Sequence, residues 1–115
     1  MGLTGQNFIM WKGDDKTIQF TIDDATDVSG FTAKWHMAVD VNSTKLITKQ
    51  SGGSGITFDG NKVLVSIAGS ETKDTVTAIP EGLYYHELEL IDAQAKKSIA
   101  ATGVIDLKKT LVGRT

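Results

Sequence analysis

The segment at 79–92, read Ile-Pro-Glu-Gly-Leu-Tyr-Tyr-His-Glu-Leu-Glu-Leu-Ile-Asp, restricts the fold more than any other stretch of the chain. It holds the only proline, Pro80, with Gly82 two residues later. Proline presets φ for the second position of a type I turn, and glycine is favoured at the fourth. Directly afterwards Tyr84, His86, Leu88 and Leu90 alternate with Tyr85, Glu87 and Glu89. That two-residue period is a strand with one packed and one wet face. A turn, then Gly-x-Tyr, then a long alternating strand is how a Greek-key sandwich passes from one sheet to the other. There a tyrosine hydroxyl anchors the corner. Pro80, Gly82 and Tyr84 are therefore expected to form a structural corner.

The rest of the chain reads as more short strands. Phe8 and Met10 alternate with Ile9 and Trp11, and Gly13, Asp14 and Asp15 follow as a turn. Ile18, Phe20 and Ile22 alternate with Thr17, Gln19 and Thr21, a half-buried pattern rich in β-formers. Ala33, Trp35, Met37 and Val39 share one face of a third strand, with Lys34 and His36 on the other. Residues 51–55, Ser-Gly-Gly-Ser-Gly, have the length of a hairpin loop. Beyond it, Ile56 and Phe58 face Val63, Val65 and Ile67 across Asp59, Gly60 and Asn61, a strong hairpin signal. A helical turn is expected near Ser70, which is placed to cap it. Asp92 to Lys97 reads as the last turn, and Ile99, Ala101, Gly103, Ile105 and Leu107 as one face of the final strand. With turn signals between most of these runs, the expectation is all-β: an antiparallel Greek-key β-sandwich, immunoglobulin-like, of about eight short strands. Residues 1–115 read as a single domain with short polar tails at 1–6 and 110–115.

Composition narrows the function classes. The 115 residues are 40% hydrophobic and 23% charged, enough for a core without covalent staples. No cysteine is present, which removes disulfides and thiolate zinc sites. A net charge of −2, with no basic run longer than a pair, gives no footprint for nucleic acid. No apolar stretch approaches the ~20 residues of a membrane helix, and the amino terminus does not read as a secretory signal. A soluble protein made in a cytoplasm, binding neither nucleic acid nor membrane, is expected.

Catalytic patterns are equally sparse. His36 and His86 are the only histidines, and a metal site would need them on neighbouring strands with Glu87 or Asp40 joining. No local ligand spacing supports that, so they read as sheet-surface or core-edge imidazoles, His86 as core-edge packing. Asp23, Asp24 and Asp27 offer calcium three oxygens, but aspartate is itself a favoured turn residue. Glu87 and Glu89 lie on one strand face rather than across a cleft, unlike a glycosidase pair. Neither a Gly-x-Ser-x-Gly elbow nor a phosphate loop occurs. No enzyme activity, cofactor or metal is expected. Among the aromatics, Trp35 belongs with the core face, whereas Trp11 and Tyr85 read as surface residues that suit a partner contact or a sugar platform.

The order of motifs resembles the small β-sandwich domains of tailed-phage virions, in particular the amino-terminal domain of phage baseplate upper proteins. The resemblance is carried by the strand ending in Lys12, Gly13 and Asp14, and by Ile18, Gln19, Phe20, Thr21 and Ile22. It continues through Val28, Ser29 and Gly30 before the Trp35 strand, the Gly55 to Ile67 hairpin, the Pro80 to Leu90 block and the run from Gly103 to Leu107. It implies a non-enzymatic structural or adaptor protein of the virion, made in the host cytoplasm, in a tail, baseplate, neck or capsid-decoration position. Partners would be other virion proteins or further copies in a symmetric assembly. The chain departs from the baseplate pattern by ending soon after the strands, which favours a small stand-alone component. Contacts are expected around Phe8, Trp11 and Tyr85 and along one sheet edge. The alternative is a carbohydrate-binding module using Trp11 and Tyr85.

Overall fold

The computed structural model describes residues 3–23, 25–53 and 55–115. Among these lie eight strands: β1 Phe8–Trp11, β2 Lys16–Thr21, β3 Thr32–Ala38, β4 Ile47–Ser51, β5 Gly55–Asp59, β6 Lys62–Ile67, β7 Gly82–Ile91 and β8 Lys97–Lys108. All of them belong to one sheet, in the order β1-β8-β7-β3-β4-β5-β6-β2, which curls until it nearly closes into a barrel. One face of every strand points into the barrel. Trp35, Phe20, Met10, Met37, Leu88, Ile105 and Leu107 fill its interior, so alternation along the strands becomes inside and outside.

This is all-β, but it is not the expected antiparallel Greek-key sandwich. There is one mixed sheet, with β1 parallel to β8 and β4 parallel to β5. The second pairing corrects the hairpin expected at residues 51–55. Only Gln50 and Ser51 pair with Gly55 and Ile56, in parallel. Gly52 and Gly55 have φ of 76° and 89°, a left-handed geometry that glycine adopts without a Cβ clash. Through them the chain steps sideways from β4, which pairs with β3, to β5, which pairs with β6, and continues in the same direction. Ser54, within this loop, lies outside the described residues.

Other connections follow the sequence signals. Ile56 pairs with Val65 and Phe58 with Val63 across the Gly60 turn, as the Asp-Gly signal implies. At the β7–β8 hairpin, Asp92 Oδ1 accepts from the Gln94 and Lys96 amides at 2.9 and 3.0 Å. Near Ser70 the expected turn is a 3₁₀ turn, Gly69–Glu71. Its first amides are met not by Ser70 but by Glu71 at Ala68 N (2.8 Å) and Asp15 at Gly69 N (2.7 Å).

Two faces differ from simple alternation. β7 and β8 slip register between Leu88 and Glu89, where Leu88 opposes Ala101 and Glu89 opposes Ile99. The extra residue, Ala100, is buried beside Ala101, and Ile99 turns outward. A bulge reverses the parity beyond it. In β3, Met37 and Ala38 are both buried and the strand ends there, leaving Val39 exposed in the following turn.

The segments read as polar tails pack against the barrel. Residues 3–7 run along β8, with Leu3 N donating to Ala100 O (2.7 Å), Thr102 N to Leu3 O (2.8 Å) and Gln6 N to Thr102 O (3.0 Å). Met1 and Gly2 lie outside the described residues. At the other end Arg114 Nη1 pairs with Asp14 at 2.7 Å, and its amide donates to Asp74 Oδ2 at 2.9 Å.

Candidate interaction face

Met10 on β1 and Lys12 just after it point inward and are buried. Lys12 Nζ donates to the Ile79 carbonyl at 2.5 Å. The intervening Ile9 and Trp11 must therefore face solvent, and they are 51% and 44% exposed. β8 beside it sends Ile105 and Leu107 inward and Val104 outward. β7 buries Tyr84 and His86 and turns Leu83 and Tyr85 out, Leu83 being 65% exposed. Register aligns these outward residues. Ile9, Asp106 and Leu83 form one row, Val104 and Tyr85 the next, and Trp11 stands opposite Lys108.

The outer wall of β1, β8 and β7 is thus an apolar surface of Ile9, Trp11, Leu83, Tyr85 and Val104. Within it, Lys108 Nζ and Asp106 are paired at 3.3 Å. Burial, and after it the charge of Glu87, pushes the Tyr85 phenol above its ordinary value, so the hydroxyl stays a neutral donor at physiological pH. Next to Tyr85 is a shallow depression bordered by His36, Ala38, Lys45 and Glu87. The imidazole of His36 is held below its usual value first by burial, then by Lys45 and Lys34, with Glu89 opposing.

Trp11 and Tyr85, read from the sequence as surface aromatics, share this wall. Phe8 does not. It lies on the inward side of β1 with Met10, half-buried, its ring 5.3 Å edge-on from that of His86, and Lys16 Nζ sits 5.3 Å from its centroid. Ile9, Leu83 and Val104 take its place. Parity alone identifies them, each being next in sequence to an inward residue, but only the β1–β8 pairing brings them together.

Pro80, Gly82 and Tyr84 stand at the entry to β7, where the Tyr84 hydroxyl donates to the Pro80 carbonyl. The two histidines do not converge. His36 opposes Glu87 across the β3–β7 ladder and faces out, whereas His86 faces in and is fully buried. No group of three histidine or carboxylate side chains able to hold a metal forms among the described residues. Asp27 spends its carboxylate on the Ser29 amide at 2.9 Å, a turn role, and Asp24 lies outside the described residues. Glu87 and Glu89 occupy the outer side of β7.

Compared with known proteins, the chain matches no family model and no curated relative.

Proposed function

We propose that this chain is a non-enzymatic interaction domain that packs into a symmetric assembly through the outer wall of β1, β8 and β7. The observation that carries the reading is that Ile9, Trp11, Leu83 and Val104, with Tyr85, face outward from three neighbouring strands of the barrel, around the Asp106–Lys108 pair. Contiguous exposed apolar patches mark association surfaces, and aromatics are enriched in their cores. A second copy suits this wall best. An acidic and a basic residue lie side by side within it, so a two-fold axis can set Asp106 of each subunit against Lys108 of the other. The sequence resemblance to phage baseplate domains supports a virion setting, as a tail, baseplate, neck or capsid-decoration component. A sugar platform is less well supported, because β8 lies between Trp11 and Tyr85 and the two stand opposite Lys108 and Val104, apart along that strand rather than side by side.

Sedimentation over a wide concentration range tests the reading. The wild-type chain is expected to associate, and Leu83→Lys or Val104→Lys to remain monomeric with the same melting temperature. A wild-type chain that stays monomeric throughout and fails to co-sediment with virion proteins overturns it. Glycan binding lost in Trp11→Ala would replace it with the carbohydrate reading.

A further inference from the structure

Among the described residues, the polar or charged ones that are buried are Thr72, His86 and Lys12. Thr72 is satisfied, its Oγ1 accepting from the Gly13 amide at 3.0 Å. So is His86, which lies among the rings of Phe8, Phe20 and Trp35. The Trp35 indole N–H donates to its Nδ1 at 3.2 Å, which leaves the proton on Nε2. Nε2–H in turn donates at 2.6 Å to the carbonyl of Gln6, in the amino-terminal arm of residues 3–7. Lys12 is different. It is only 4% exposed, yet of the three donors of an ammonium one alone is used, on the Ile79 carbonyl. The ion pairs among the described residues join Lys49 to Glu71, Lys108 to Asp106 and Arg114 to Asp14, so none neutralises Lys12. A buried charge without a counter-charge is costly.

Topology sets Lys12 at one end of the barrel. β1 runs parallel to β8, and β7 antiparallel to it. Lys12 after β1, Lys109 after β8, and Pro80 and Glu81 before β7 therefore meet. Together with Asp74 and Val76 they border a depression of about 250 Å³. One water molecule takes ~30 Å³ of liquid, so this space exceeds what a single bridging water fills. Asp74 brings a second unmet group. Its Oδ2 accepts from the Arg114 amide at 2.9 Å, whereas Oδ1 is buried without a partner. A buried cation in want of an anion and a buried acceptor in want of a donor thus border the same depression.

We propose that this end of the barrel binds a free α-amino acid with a small aliphatic side chain, its carboxylate on Lys12 and its ammonium on Asp74. Charge selects the class. A simple anion would meet Asp74 and Glu81, and a simple cation Lys12 and Lys109. A ligand that carries both charges beside one carbon satisfies both sets, through charge-assisted hydrogen bonds. Val76 and Pro80 give the depression an apolar wall for the side chain. The two binding groups are also held in advance, Lys12 by the Ile79 carbonyl and Asp74 by the Arg114 amide. Little side-chain freedom remains to be lost when the ligand arrives. The mouth of a barrel is a common place for such a site.

The test is an amide-shift titration of the full-length chain by NMR with L-valine, isovalerate and isobutylamine. The last two keep the aliphatic group and lack the ammonium and the carboxylate respectively. L-valine should shift the Lys12, Asp74 and Glu81 amides along one saturable curve. Isovalerate and isobutylamine should each bind at least ~10-fold more weakly. Asp74→Asn should weaken L-valine by ~10-fold without weakening isovalerate, whereas Lys12→Met should weaken both. The proposal is overturned if L-valine gives no saturable shift, which would leave the depression to water. It is also overturned if isovalerate binds as tightly as L-valine, or if Asp74→Asn leaves L-valine binding unchanged. The three ligands on the wild-type chain decide the matter even where neither variant folds.

Discussion

The two sides of a single wall reverse the usual arrangement of side chains. On β7 the inward residue is His86 and its outward neighbour Tyr85; on β8 the pair is Gly103 and Val104, and on β1 Phe8 and Ile9. Inside, a polar ring is enclosed with both nitrogens bonded; outside, apolar side chains meet water. The inner arrangement specifies structure, because a buried polar group left without partners costs about 1–3 kcal/mol. His86 thus selects one position for the arm. Ile9, Leu83 and Val104 add little to the core.

Substitutions on the two sides should therefore have different consequences. The largest effect belongs inside: Phe20→Ala removes a ring packed against His86 and should cost about 3–5 kcal/mol in denaturant unfolding. At the corner, Tyr84→Phe keeps the ring and loses the hydroxyl bond to Pro80, for a loss of about 1 kcal/mol on the same assay. Outside, Ile9→Ser should change stability by no more than about 0.5 kcal/mol, yet weaken self-association by sedimentation. A destabilisation by Ile9→Ser comparable with Phe20→Ala would erase the distinction between the faces. An unchanged association constant would leave the outer wall without the role given to it.

Much of the inner face was legible because alternation reports burial directly. Ile18, Phe20, Trp35, Met37, Leu88 and Leu90 all lie inside, and Asp59 and Gly60 marked a hairpin in the right register. Alternation is blind to strand direction, however, so the parallel β1–β8 and β4–β5 pairings left no sign, and a sandwich and a barrel read alike. A bulge is equally silent: nothing in Ser98, Ile99, Ala100 and Ala101 announces that parity reverses among them. Trp11 and Tyr85 were recognised as surface aromatics. Phe8 was not recognised as an inward residue, although it shares parity with Met10. The arm was missed for a different reason. Its attachment to β8 is almost wholly main-chain, and a sequence of Leu3, Thr4, Gly5 and Gln6 carries no pattern for such bonds.

The parallel pairing of β1 with β8 also fixes an order in time. Asn7 and Val104, which meet beside that pairing, are 97 residues apart, and Asp14 meets Arg114 across 100. Contacts this distant in sequence close last and make folding slow. As the chain leaves the ribosome, the β2–β6 and β3–β7 ladders have both partners in hand well before β8 is complete. β1 has to wait for β8, and until then its apolar residues, inner and outer alike, remain uncovered.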